Sequence, residues 1–319
     1  MRRWQVAVLI LALVLIGVIA LLLISNKCSP QVGTFYYVWY GAPDSGNWDS
    51  SMVVDYPVYP LLGNYSSSNA TVIEQQLVLM KDLGVDFVVI SWWGCNENDS
   101  YGQFIDSNAK KVFQVAEDNM INLKFAIMVE PYNKNGSPYN FTEIYNHIYD
   151  NFVLPYSSIY YNYTNKPLIC FFNDPDNVPG LTPNGTIPFN ETKFNTIVVG
   201  QQNYVQWVYT DLNCYVKPSR NPYTNQTSVT PRYDDSRVRT PSCIVDPNLT
   251  QGTYGNKWQN AIQLWQDGKI DTIMITSWNE YPERTAIEPH YDATAFNHDP
   301  YYLYYKTKDY ISQVHQLSK

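Results

Sequence analysis

Glu280 and Glu283 stand three positions apart in Ser277-Trp278-Asn279-Glu280-Tyr281-Pro282-Glu283, directly after the apolar run Thr272 to Thr276. Cleaving a glycosidic bond takes one carboxylic acid to protonate the leaving oxygen and a second carboxylate to assist at the sugar ring. In an isolated loop, two such glutamates are simply solvated. Their place straight after a buried strand aims them instead at the end of a sheet. Other apolar runs end in the same kind of residue: Tyr37-Val38-Trp39-Tyr40-Gly41, Ser91-Trp92-Trp93-Gly94 and Glu130-Pro131-Tyr132. Sugars bind to aromatic faces and to hydroxyl or amide groups, so carboxylates and aromatics meeting at one mouth describe a sugar-cleaving site. For any single aromatic, core packing is the competing role.

The elements that must position these residues are short. Gly33 to Tyr40, Val85 to Trp92, Leu123 to Val129, Pro167 to Phe172, Thr196 to Val199 and Thr272 to Thr276 are rich in β-branched and aromatic residues and read as buried parallel strands. Helical patterns alternate with them. Thr71-Val72-Ile73-Glu74 reads as a capping box opening a helix that Gly84 ends. Trp258, Ala261, Ile262 and Trp265 repeat the helical spacing before Gly268, and further helices are predicted near Ser107 to Asn119, Phe141 to Leu154 and Tyr301 to Gln316. Strand-then-helix units imply parallel strands covered by helices. Tyr40-Gly41-Ala42-Pro43 is not the glycine-rich loop of a nucleotide-binding sheet, so the pattern predicts an α/β fold of the (β/α)8 TIM-barrel type over residues 33–319.

Several blocks resemble glycoside hydrolase family ninety-nine, the endo-α-mannosidases and endo-α-mannanases. Asn279 to Pro289, NEYPERTAIEP, is similar to that family's NEWHEGTQIEP signature. FYYVWYG at Phe35 to Gly41, GVDFVVISWWG at Gly84 to Gly94, VEPY at Val129 to Tyr132 and VTPRYDDSRVR at Val229 to Arg239 resemble further family blocks, in family order. The resemblance implies a (β/α)8 barrel, retention of anomeric configuration and no metal or organic cofactor. It also implies that Glu280 addresses the substrate 2-hydroxyl and Glu283 the glycosidic oxygen. Tyr37, Trp39, Tyr40, Trp92, Trp93, Glu130, Tyr132, Tyr233 and Asn279 would then form the sugar subsites. Arg284 and Arg232 stand where the family has glycine, and are expected to intrude near the mouth and open it to a charged glycan. The rival from another class is a barrel that binds surface glycans without cutting them. A nucleotide-sugar transferase would need a metal-binding Asp-x-Asp, and Asp174-Pro175-Asp176 reads as a loop.

Composition narrows the setting. Only 16% of residues are charged, against ~25% in a typical soluble protein, while tyrosine numbers 28 and tryptophan 9. The net charge of -8, without a basic patch, excludes a nucleic-acid partner. Val6 to Ile24 runs 19 residues without charge, proline or polar side chain, enough for a transmembrane helix, and Arg2 and Arg3 place its start in the cytoplasm and the barrel outside. The expected organisation is a membrane anchor over residues 1–27, a linker over 28–32, and the barrel. Sequons agree with that orientation, predicting N-glycans among Asn64, Asn69, Asn98, Asn140, Asn162, Asn184, Asn190, Asn225 and Asn248; in Asn135-Gly136-Ser137 the following Pro138 disfavours modification. Of five cysteines, Cys214 and Cys243 are expected to pair and Cys170 to be a buried thiol. Neither the cysteines nor the four histidines have metal-ligand spacing.

Overall fold

The computed structural model describes residues 5, 29–42, 48, 58–132, 140–172, 174, 191–200, 207–208, 225–292 and 299–317. The predicted membrane span and Cys28, Cys214, Asn135, Asn184 and Asn190 lie outside these residues. No helix among the described residues is long and apolar enough to cross a membrane.

A curled parallel sheet forms the centre of the fold. Its strands are β1 (Gln31–Tyr37), β2 (Phe87–Trp92), β3 (Lys124–Val129), β4 (Lys166–Phe172), β5 (Asn195–Gly200), β6 (Trp207–Val208), β7 (Gln226–Val229) and β8 (Thr272–Ile275). They are hydrogen-bonded in the order β6-β5-β4-β3-β2-β1-β8-β7, every ladder parallel. The first strand therefore lies against the last, as a sheet curling back on itself requires. The two end strands, β6 and β7, also approach within 8 Å. Helices α1 (Ala70–Leu83), α2 (Ser100–Asp118), α3 (Phe141–Ile148), α4 (Thr253–Gln266) and α5 (Tyr302–Gln316) follow β1, β2, β3, β7 and β8 in the chain.

The strands are apolar on both faces because each face meets a different core. Phe35, Tyr37, Phe87, Val89, Ala126, Met128, Leu168 and Cys170 pack together on the concave side. Their neighbours in sequence, Tyr36, Val88, Ile90, Trp92, Phe125, Ile127, Ile169 and Phe171, pack under the helices. The period of two between successive side chains divides the two sets. Gly33 follows the concave set, and a Cβ there would come within 2.4 Å of the Phe87 ring and 2.6 Å of the Met274 sulfur.

Local signals place the helix ends, with two differences from the sequence reading. The α1 cap is Asn69, whose side-chain oxygen accepts from the Thr71 amide, and not Thr71 itself. Helix α2 begins at Ser100, about two turns before the expected Ser107, because Asp99 caps it. Gly84 ends α1 at φ 94°, as expected of a left-handed cap. Cys170 is a buried free thiol and Cys243 is disulfide-bonded, its partner lying outside the described residues.

Candidate active site

Strands β1 to β8 all point the same way, so the segments that leave them gather on one side. There they enclose a cavity of about 450 Å³. Of the residues expected at the site, Tyr37, Trp39, Trp93, Glu130, Glu280 and Glu283 line it. Tyr37 ends β1 on its concave side, Trp39 stacks obliquely on it with ring centroids 4.6 Å apart, and Trp93 and Glu130 follow β2 and β3 directly. Glu280 and Glu283 come from the loop that leaves β8.

The other five expected residues stand behind the cavity wall. Trp92 faces the helices by strand parity, and its indole donates to Asp106 at 2.9 Å. The Tyr132 ring meets Trp92 edge-on and covers Gly94, where a Cβ would come within 2.8 Å of it. Tyr40 is buried and donates to the Asn279 carbonyl at 2.5 Å. Asn279 is itself fully buried and brackets Tyr37, accepting from its amide and donating to its carbonyl, each at 2.9 Å. Tyr233 is buried beside Glu283, to which its side chain hydrogen-bonds.

Three buried glutamates share the cavity, and burial acts on each. Glu280, Glu283 and Glu130 are 4%, 7% and 6% exposed. Burial pushes Glu130 up to about 8, opposed by the Ser91 hydroxyl that donates to it at 2.8 Å and reinforced by the charge of Glu283. Burial likewise raises Glu280 well above the usual carboxylate range, reinforced by the charges of Glu283 and Glu130. Glu283 is raised by burial but opposed by Arg239, whose guanidinium donates to its Oε1 at 2.5 Å. Its Oε2 is buried without a hydrogen-bond partner, an acceptor left over at the cavity. Crowded carboxyls cannot all ionise, so the pocket retains a proton near neutral pH. Arg239 opposes a proton on Glu283.

Arg239 lines the cavity as well, as do Tyr101, Phe172, Asp174, Val238 and Pro282, none of which was expected from sequence to line the site. Phe172 and Asp174 follow the strand-end rule at β4, and Val238 and Arg239 belong to the block at Val229 to Arg239. Tyr101 carried no signal, since it enters from the first turn of α2.

Arg232 and Arg284 do not reach the mouth as expected; both are buried and neither lines the cavity. Arg232 meets Asp292 at 2.5 Å, and Arg284 meets Asp292 at 3.1 Å and Asp234 at 3.4 Å. Buried guanidinium groups need such partners. Arg232 also donates to the Arg284 carbonyl at 3.0 Å, so the two arginines occupy one charged cluster beneath the loop of Glu283. Arg284 has φ 56°, the left-handed region in which glycine is at ease.

The sequence model of Glycosyl hydrolase family 99 matches residues 50–200. The chain is 23% identical over 320 residues to the Glycoprotein endo-alpha-1,2-mannosidase of Mus musculus, spanning 80% of this chain and 66% of that protein. It is 22% identical over 325 residues to the Glycoprotein endo-alpha-1,2-mannosidase-like protein of Homo sapiens, spanning 83% and 69%. In sequence the chain thus resembles glycoside hydrolase family 99. It spans about two thirds of the length of these curated relatives. In fold it is similar to the GH99 endo-alpha-mannosidase of Bacteroides thetaiotaomicron solved in complex with BIS-TRIS-Propane, with TM-score 0.63, 21% identity, and 90% of this chain and 97% of that one covered.

Within this family 99 relative, Arg239 is the group that most directly lowers the proton affinity of Glu283. Replacing Arg239 with Gln lets Glu283 keep its proton to higher pH. The descending limb of the kcat/KM profile should then move to higher pH, because an adjacent opposite charge favours the ionised carboxylate. A pH profile of the variant checks this, and a limb that stays or moves down refutes it.

Proposed function

We propose that this protein is a retaining, endo-acting glycoside hydrolase that cleaves α-mannoside-type linkages in glycans, with Glu280 and Glu283 as its catalytic pair. The observation that carries the reading is the cavity itself: three buried carboxyl groups facing Tyr37, Trp39 and Trp93 at the ends of parallel strands. The curled sheet, with its strands in cyclic order, reads as a (β/α)8 barrel presenting its site where such barrels do.

In the reading carried by the family resemblance, Glu280 takes the proton of the substrate 2-hydroxyl. That oxygen attacks the anomeric carbon as the glycosidic bond breaks, and Glu283 gives its proton to the leaving oxygen. The product is a 1,2-anhydro sugar, with Glu280 protonated and Glu283 ionised. Glu283 then takes a proton from water as water opens the three-membered ring, and Glu280 returns its proton to the 2-oxygen. Two inversions give net retention. Arg239 beside Glu283 favours that carboxylate ionised, which is its state midway through this cycle.

Two features of setting accompany this reading. Val6 to Ile24 would anchor the chain, leaving the hydrolase outside the membrane. The asparagines of the described sequons, Asn64, Asn69, Asn98, Asn140, Asn162, Asn225 and Asn248, are all exposed, as acceptors of N-glycans need to be.

The test is to incubate the purified ectodomain with a panel of α-mannosides and mannose-containing glycans and to read the products by mass spectrometry. Release of oligosaccharides with retained configuration is expected. Binding without cleavage across the panel would replace this reading with a glycan-binding barrel.

A further inference from the structure

Glu288 is a carboxyl group that the proposed reaction does not use. It is 1% exposed and does not line the cavity. Three donors converge on it: the Gln76 amide on Oε1 at 2.7 Å, and on Oε2 the hydroxyls of Tyr65 at 2.9 Å and Tyr281 at 2.8 Å. Gln76 cannot turn its other end inward, because its Oε1 accepts from Tyr36 at 2.5 Å. Every partner therefore offers a proton, and the site is built for an ionised carboxylate.

The direction of these bonds continues into the active site. Tyr65 donates to Glu288, so its oxygen is free to accept, and it accepts from the Asn279 Nδ2 at 3.0 Å. That contact orients the Asn279 amide with its Oδ1 toward the Tyr37 amide and its Nδ2 toward the Tyr37 carbonyl. Tyr37 in turn lines the cavity and hydrogen-bonds the Glu280 carboxyl through its side chain. Asn279 is also the residue immediately before Glu280.

We propose that Glu288 is a positioning residue, which through Tyr65 and Asn279 fixes Tyr37 and Glu280 in their reacting geometry. This inference rests on the proposed role of Glu280. A carboxylate at the end of the chain sets the polarity of every bond along it. With Glu288→Gln, an amide donor faces the tyrosine hydroxyls or Gln76, and Tyr65 is pushed to donate toward Asn279. Asn279 must then turn its amide, which sets Nδ2 against the Tyr37 N–H. Burial raises Glu288 to about 7, against the opposition of its three donors.

Tyr65 and Tyr281 make a matched pair for the test, because each donates one bond to the same Glu288 oxygen and only Tyr65 continues to Asn279. Steady-state kinetics on a cleaved α-mannoside should show kcat falling about 10- to 100-fold in Tyr65→Phe and in Glu288→Gln, the size expected of a misplaced catalytic group, with KM little changed. The double variant should be no worse than the worse single one, since both act through one path. Tyr281→Phe should stay within about threefold of wild type on the same reasoning. Equal losses in the two tyrosine variants, or losses that multiply in the double variant, overturn the proposal. If Glu288→Gln fails to fold, the two tyrosine variants decide alone. A wild type that cleaves no glycan defeats the hydrolase reading instead, and the inference is then judged by whether crystals of Tyr65→Phe, but not Tyr281→Phe, show Tyr37 and Glu280 displaced.

Discussion

Glu283→Gln is expected to lower turnover of ordinary glycosides by about 100- to 10,000-fold, the usual worth of general acid catalysis. The variant keeps the size of the side chain and one hydrogen-bonding oxygen, so Arg239 retains a partner and the chain should fold and bind. What it loses is the proton for the leaving oxygen. A glycoside whose leaving group departs without protonation, such as a dinitrophenyl mannoside, should therefore recover much of the lost rate in the first step. The test is the ratio of kcat/KM between activated and ordinary substrates, compared with wild type. The comparison matters because Arg239 sits on Glu283 and favours its ionised form, against the role of acid. For Glu283 to act as acid, an arriving substrate has to draw Arg239 away or share it. Should Glu280→Gln be the variant rescued by the activated substrate, the two roles are exchanged.

Much of the site was legible in the sequence because barrel-type chemistry gathers where strands end, and strand ends can be read from where apolar runs stop. That rule located Tyr37, Trp39, Trp93, Glu130, Glu280 and Glu283 without reference to any contact between them. It erred by counting every aromatic near a strand end. Trp92 and Ser91 are neighbours, yet parity sends Trp92 to the helices and Ser91 to Glu130. In a strand apolar on both faces, parity leaves no trace in the pattern of residue types, so the two sides cannot be told apart. The strand Gln226–Val229 was missed for the opposite reason: Gln226, Thr227 and Ser228 lack the apolar signature, although β7 pairs with β8 through all four of its residues.

The arginines show a different limit. Arg232 and Arg284 were conspicuous as charges in place of glycines, and charge in a loop suggests exposure. Their fate is decided by Asp292, 60 residues from Arg232, and by Asp234, 50 residues from Arg284. Spacing of that kind carries no local signal. Arg239, which does reach the cavity, bonds a glutamate 44 residues away, and its place in the Val229 to Arg239 block does not disclose that partner. Long-range charge pairing is thus where sequence reasoning ran out, both for what it placed at the mouth and for what it overlooked there.

Glu280→Gln should be as damaging as Glu283→Gln, and in a way that no leaving group repairs. In the proposed cycle Glu280 generates the nucleophile by taking the proton of the 2-hydroxyl, and an amide cannot take it. The nucleophile is needed however readily the aglycone departs, so the loss, about 100-fold or more on the general-base scale, should be similar for activated and ordinary substrates. A substrate analogue with hydrogen or fluorine in place of the 2-hydroxyl removes the same nucleophile from the other side. Wild-type enzyme should bind such a 2-deoxy or 2-fluoro compound and leave it intact, even when its leaving group is activated. Applying the Glu280→Gln variant to that analogue should then cost nothing further, because enzyme and substrate would each lack one half of a single step. Mass spectrometry of the incubation settles the point. Efficient cleavage of the 2-deoxy compound, or a covalent adduct on Glu280 from the 2-fluoro compound, would mean that a carboxylate attacks the anomeric carbon directly. The 2-hydroxyl would then be a binding group, and Glu280 a conventional nucleophile whose high proton affinity would have to fall before each turnover.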